Sequence, residues 1–112
     1  MLTVKNADNH DAVRFFGQNL PFSFRGITVL EDDTPIAMAG VYNYCGKRVA
    51  FSDLKDAARK YRKNIVRFTR QFLESIPGEL YAVQDPNEPT SAQFLQHFGF
   101  VHIKENIYRR EA

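Results

Sequence analysis

Seven of the fifteen basic residues in this chain fall between Lys55 and Arg70, in the stretch KDAARKYRKNIVRFTR. A run of that kind sets up a local positive field that can hold phosphate groups, a nucleic acid or an acidic protein surface. It is equally what the solvated face of an amphipathic helix looks like. Two carboxylates stand near apolar stretches and are of the type that accepts a proton in acid–base chemistry, Asp53 and Glu31. Asp53 also reads as a helix cap, and Glu31 as a solvated strand end. Asn87, behind Asp85-Pro86, can hydrogen-bond a ligand or close an Asx turn. The remaining reactive side chains do not assemble. His10, His97 and His102 lack the spacing of metal ligands, and the single Cys45 excludes an internal disulfide. No His–Asp arrangement accompanies that thiol.

The elements that must position these groups can be read from apolar spacing. With 112 residues, 44% of them apolar and ten of them Phe, the chain supports one packed domain spanning 1–112. A formal charge of +2 is too small to select a partner, and no recognised motif supports nucleic-acid binding. No apolar run approaches the roughly 18 residues of a membrane span, and no secretory signal is apparent, so cytoplasm is the expected compartment. Leu2 and Val4 open a short strand. Asp8 or Asn9 caps a helix with the stripe Ala12, Val13, Phe15 and Phe16, stopped by Gly17 and Pro21. A meander follows: strands from Gly26 to Glu31, Ile36 to Tyr44 and Arg48 to Ser52, with turns at Asp32-Asp33-Thr34 and Cys45-Gly46. Gly40, inside the middle strand, marks a bulge or a close backbone approach.

Leu54, Ala58, Tyr61, Ile65, Phe68, Phe72 and Ile76 recur at helical spacing, predicting one long helix of about 33 Å with Asp53 ahead of it. Pro77-Gly78 ends it. A short buried strand over Leu80 to Val83 leads to a loop, then to a helix capped by Thr90 or Ser91 and closed by Gly99. A last strand runs from Phe100 to Tyr108. The order β-α-β-β-β-α-β-α-β makes an α+β domain.

That order, closing with LYAVQDPNEPTSAQFLQHFGFVHIKENIYRR, resembles the GNAT superfamily of acyl-CoA-dependent N-acetyltransferases, whose last motif is a strand, an Asn-bearing loop, a short helix, Gly-Phe and a strand. Asn87 lies near the family's asparagine and Gly99-Phe100 at its Gly-Phe. The segments PIAMAG, FSDLKDAARKYRKNIVRF and FLQHFGF are further similar to small GNAT-like proteins of short-tailed bacteriophages, including internal virion proteins. The resemblance implies an acetyl-CoA cofactor lying where the fourth and fifth strands part, near Ser52 and Val83. Its pyrophosphate would sit at the start of the long helix, near Ala57, Ala58, Arg59, Lys60, Arg62 and Lys63, with Asn87 beside the cleft. Asp53, or Glu31 facing the same cleft, would accept the proton of the amine.

Two departures from the family pattern stand out. Its phosphate loop carries glycines, where this chain has Arg62 and Asn64 in one alignment and Ala57 and Ala58 in another. Its proton-donating tyrosine is matched here by Leu95, with His97 and Tyr108 off the motif position. Two readings therefore remain. One is an N-acetyltransferase acting on an amine of a small molecule or protein. The other is a catalytically degenerate, phage-encoded protein that binds a host protein or packs in a virion.

Overall fold

The computed structural model describes residues 1–83 and 95–111. Among these residues seven strands form one sheet. In chain order they are β1 (Leu2–Asn6), β2 (Phe24–Glu31), β3 (Thr34–Tyr44), β4 (Lys47–Leu54), β5 (Leu80–Val83), β6 (Val101–Lys104) and β7 (Ile107–Arg110). Across the sheet they run β1-β2-β3-β4-β5-β7-β6, antiparallel everywhere except between β4 and β5. Helix α1 (Asn9–Phe16) lies on one face of the sheet and helix α2 (Arg62–Glu74) on the opposite face.

The front of α1 forms as its sequence implies. Asp8 and Asp11 make a reciprocal capping box, with the Asp11 N–H 2.8 Å from Asp8 Oδ1 and the Asp8 N–H 3.1 Å from Asp11 Oδ2. Gly17, at φ 80, ends the helix in the left-handed conformation. Ala12 and Phe15 pack on Met38 of β3, while Val13 points to solvent. Asp11 is fully buried and is met by the Thr28 hydroxyl at 3.3 Å and Lys5 Nζ at 3.0 Å. A buried carboxylate persists because those donors replace its water. On the other face Phe72, Leu73 and Ile76 join Val41, Leu80, Ala82, Phe98, Phe100 and Tyr108. Burial of each large apolar side chain there stabilises by roughly 1.5–3 kcal/mol.

Two elements differ from their sequence reading. The long helix is divided into a 3₁₀ segment, Asp56–Tyr61, and α2. Leu54 and Asp53 remain in β4, paired with Ala37 and Met38, so Asp53 caps no helix; its Oδ1 accepts the neighbouring Leu54 N–H at 2.9 Å. Ala58 is drawn into a cluster with Val29, Ile36, Ala37 and Ile65, and the Tyr61 hydroxyl is tied to Glu31. Both contacts hold the segment tight to the sheet end, and a wider α-turn begins only after Tyr61.

The last strand is also two strands. Residues 105 and 106 form a tight turn with Glu105 at φ 47, and β6 pairs back on β7 with a register shift between His102 and Lys104. A left-handed glutamate is not one of the residues that announce a hairpin, so an unbroken strand was the natural expectation. Just before it, residues 95–97 are helical, and the turn closes at Gly99 (φ 87). The Gly99 N–H meets Gln96 O at 3.0 Å and the Phe100 N–H meets Leu95 O at 3.1 Å. That pair of bonds is a Schellman ending, the role expected of Gly99.

Candidate active site

The parallel junction is short. β4 and β5 pair only at Val49↔Tyr81 and Ala50↔Ala82. Beyond that point, among the described residues, Phe51, Ser52, Asp53 and Leu54 pair with β3 alone, opposite Gly40, Ala39, Met38 and Ala37. Val83 pairs with Ile107 on its other side and is 63% exposed. Among the described residues, then, the sheet opens at the C-terminal ends of its two parallel strands. An open strand edge offers N–H and C=O groups that an extended ligand can satisfy.

Strand alternation sorts the side chains along this edge. Phe51 and Asp53 stand on the α1 face with Gly40 and Met38, whereas Ser52 and Leu54 stand on the α2 face. Asp53 is exposed at the rim of the opening, and among the described residues its carboxylate is bonded only to its neighbour's amide.

The start of α2 lies at the same end of the sheet. No side chain caps it, and its first turn holds no acid. Instead Arg62, Lys63 and Asn64 are exposed there. Cations at the positive end of a helix oppose its dipole, whereas a bound anion is favoured by both the dipole and the two side chains. Among the described residues neither Arg62 nor Lys63 forms an ion pair.

The other cations of the run are already engaged. Arg59 lies 3.5 Å from Asp56, both exposed, and Lys60 Nζ lies 2.9 Å from Glu31 Oε2. Ala57 is exposed. Ala58 is completely buried, and its N–H is donated to Lys55 O at 2.9 Å, so neither its side chain nor its amide faces the opening.

Glu31 does not join Asp53. It ends β2, paired with Thr34 at the far side of β3, and turns to the 3₁₀ segment, where Tyr61 donates to it and Lys60 pairs with it. The Tyr61 hydrogen bond first, and Lys60 second, hold its carboxyl below the usual carboxylate range. The same contact pushes the Tyr61 phenol up, and Glu31 likewise raises Lys60. A carboxylate so stabilised is a weak proton acceptor. Glu31 therefore anchors the 3₁₀ segment. This Glu31–Tyr61–Lys60 group was missed in the sequence, since residues about thirty positions apart carry no spacing signal.

At the family's tyrosine position, Leu95 is half-buried against the main core. His97 Nε2 lies 2.7 Å from Arg70 Nη2, and Tyr108 is buried in the core. Asn87 lies outside the described residues. Among the described residues no helix is long and apolar enough to cross a membrane, and no three His, Cys, Asp or Glu residues gather as around a metal ion.

No family model matches the chain, and no curated protein matches it by sequence. Solved structures do match in shape. The aminoglycoside acetyltransferase AAC(6')-Ib in complex with coenzyme A superposes with a TM-score of 0.71 at 12% identity, over 99% of this chain and 95% of that one. An acetyltransferase of the GNAT family from Streptococcus pneumoniae gives 0.68 at 9% identity, with 97% of each chain covered. An acyl-CoA N-acyltransferase from Pseudomonas aeruginosa gives 0.65 at 13% identity, with 98% of each covered. The chain has the α+β fold of the GNAT acetyltransferases.

Proposed function

We propose that this protein is an acyl-CoA-dependent N-acyltransferase, using acetyl-CoA to acylate an amine on a small molecule or protein. The observation that carries the reading is the parting of β4 from β5 after Ala50 and Ala82, at the same end of the sheet as an α2 start that no side chain caps and that bears two cations without ion pairs among the described residues. The residues present fit the cofactor: an open strand edge suits the amides of its pantetheine arm, and Arg62 and Lys63 suit its phosphates. Bound acetyl-CoA supplies the acyl group as an activated thioester.

The chain's own groups divide the remaining work. Arg62 and Lys63 neutralise phosphate charge beside the α2 start. The edge of Phe51–Leu54, unpaired among the described residues, donates and accepts backbone hydrogen bonds that fix an extended ligand along β4. Asp53, at the rim, takes a proton from the ammonium form of the acceptor, directly or through water, leaving the nitrogen lone pair free to attack. Leu95 holds no proton, so the departing thiolate is protonated from solvent.

The same missing donor favours a second reading, in which the fold is catalytically silent and docks a protein partner, such as a host protein met by a phage-borne one. Calorimetry with CoA and thermal melts with acetyl-CoA separate the two. Saturation at 100 times Kd stabilises by about 2.7 kcal/mol. With an unfolding entropy of about 2.1 cal/mol/K per residue, that raises the melting temperature of 112 residues by about 11 °C. Reversing both Arg62 and Lys63 to Glu should abolish the shift, while Glu31→Gln should leave it in place. No shift at millimolar ligand removes the transferase and leaves the docking reading.

A further inference from the structure

At the other end of the sheet the strands close round a second site. A cleft of about 430 Å³ opens there, within the usual size range of small-ligand sites. Its lining includes Arg25 of β2, Val41 and Asn43 of β3, Arg48 of β4, and Ile76 and Pro77 just past α2. Register explains the convergence. Arg25 pairs with Val41 and Arg48 with Asn43, and Val41 and Asn43 are two apart on one strand, so all four side chains leave the same face of the sheet. The two arginines flank β3 from strands about 10 Å apart.

The charge there is unbalanced. No Asp or Glu lines the cleft, and among the described residues neither arginine forms an ion pair. Arg48 is held at the lip by donating to Pro77 O, and the Arg25 guanidinium makes no hydrogen bond among the described residues. The adjoining cleft beyond Arg48 differs, since it includes Glu79 beside Lys47 and so carries its own counter-charge. Beneath the arginines the surface is apolar: Val41 and Ile76 are each 8% exposed and belong to the main core. Two like charges lining one cleft, with no ion pair among the described residues and an apolar floor beside them, match a ligand with an anionic head and a hydrocarbon body.

We infer that this cleft binds a small organic carboxylate, its carboxylate bridging Arg25 and Arg48, its Asn43 side pinned by the amide, and its apolar body resting on Val41, Ile76 and Pro77. The site is separate from the acyl-transfer opening, since the 13 residues of α2 set it about 20 Å from Arg62. Its existence does not depend on acyl transfer.

The test is an amide NMR titration of the intact protein with benzoate, benzyl alcohol and inorganic phosphate. Benzoate should shift the amides of Arg25, Val41, Asn43, Arg48 and Ile76 and saturate at millimolar concentration, whereas benzyl alcohol should not shift them. Phosphate, lacking the apolar body, should bind at least ten-fold more weakly. Arg25→Gln, at an exposed side chain with no partner among the described residues, should weaken benzoate at least ten-fold with the rest of the spectrum unchanged; Arg62→Gln should leave benzoate binding as it was. Absence of cleft shifts with benzoate overturns the inference. So does an unaltered affinity in Arg25→Gln, or phosphate binding as tightly as benzoate.

Discussion

Replacing Gly40 by alanine would place a methyl group 2.8 Å from the Arg25 carbonyl oxygen and 2.8 and 2.9 Å from Cε1 and Cζ of Phe51. The Phe51 ring is half-buried and packed against Phe22, Phe24 and Tyr42, so it yields only as those rings give way; the Arg25 carbonyl belongs to the β2 backbone and moves only if β2 draws off from β3. Overpacking of this kind costs about 1–3 kcal/mol. An unfolding entropy of about 2.1 cal/mol/K per residue over 112 residues converts that to a melting point lower by about 4–13 °C. Differential scanning calorimetry reads the shift, and urea titration should show an unchanged slope with an earlier midpoint. Gly26→Ala is the companion, because its methyl would meet Ala39 O at 2.3 Å. Gly26 and Gly40 are cross-strand partners, so separating the strands for one relieves the other, and the double variant should lose less than the sum of the singles. A Gly40→Ala protein melting within a degree of its parent, or strictly additive losses, would refute the argument that these glycines let β2 and β3 approach.

Glu31 makes a pH test. Its carboxyl titrates lower in the folded chain than the 4.5 of the free group, because Tyr61 and Lys60 favour its ionised form. That stability is fully present above about 4.5 and is lost as pH falls through the lowered folded value. Glu31→Gln should therefore flatten the acid limb of stability against pH, read from urea midpoints stepped through the acid range; an acid limb as steep as the parent's would place the loss elsewhere. Asp53→Asn should reduce turnover by about 10²–10⁴ while CoA affinity, measured by calorimetry, stays put. Loss of both together would make Asp53 a structural residue.

How far these features could be read in advance depends on how local their causes are. Asp8, Gly17 and Gly99 act through bonds to residues within a few positions, and each ends or begins its helix as its type implies. Gly40 announced a close approach, and Gly26 opposite supplies the other half. The meander followed from alternating apolar runs, although β2 begins at Phe24 and β3 at Thr34, earlier than the runs themselves. What the sequence concealed was set by tertiary partners. The helical spacing from Leu54 onward is genuine, yet Leu54 stays in β4, while Ala58 and Tyr61 are claimed by the sheet end. Of the basic run, only the contacts of the folded chain separate Arg59 and Lys60, which have acidic partners, from Arg62 and Lys63, which lack them among the described residues. The arginine pair of the far cleft comes from strand register, a relation between residues 23 positions apart.

The lack of glycines at the expected phosphate site has a physical consequence of its own. A glycine-rich turn works by leaving backbone N–H groups bare and approachable. Here the 3₁₀ segment spends such donors internally: the Ala58 N–H goes to Lys55 O and the Arg62 N–H to Arg59 O. Attraction for phosphate must then come chiefly from Arg62 and Lys63, exposed side chains whose field is screened by salt, unlike a hydrogen bond from a fixed amide. The screening length shrinks from about 30 Å at 0.01 M salt to about 3 Å at 1 M. CoA affinity should accordingly fall by at least ten-fold over that range, and the fall should largely vanish in a protein with both cations changed to Gln, whose residual binding is weak at any salt. An affinity indifferent to salt would mean that backbone amides hold the phosphates after all, and that the 3₁₀ segment opens to free them.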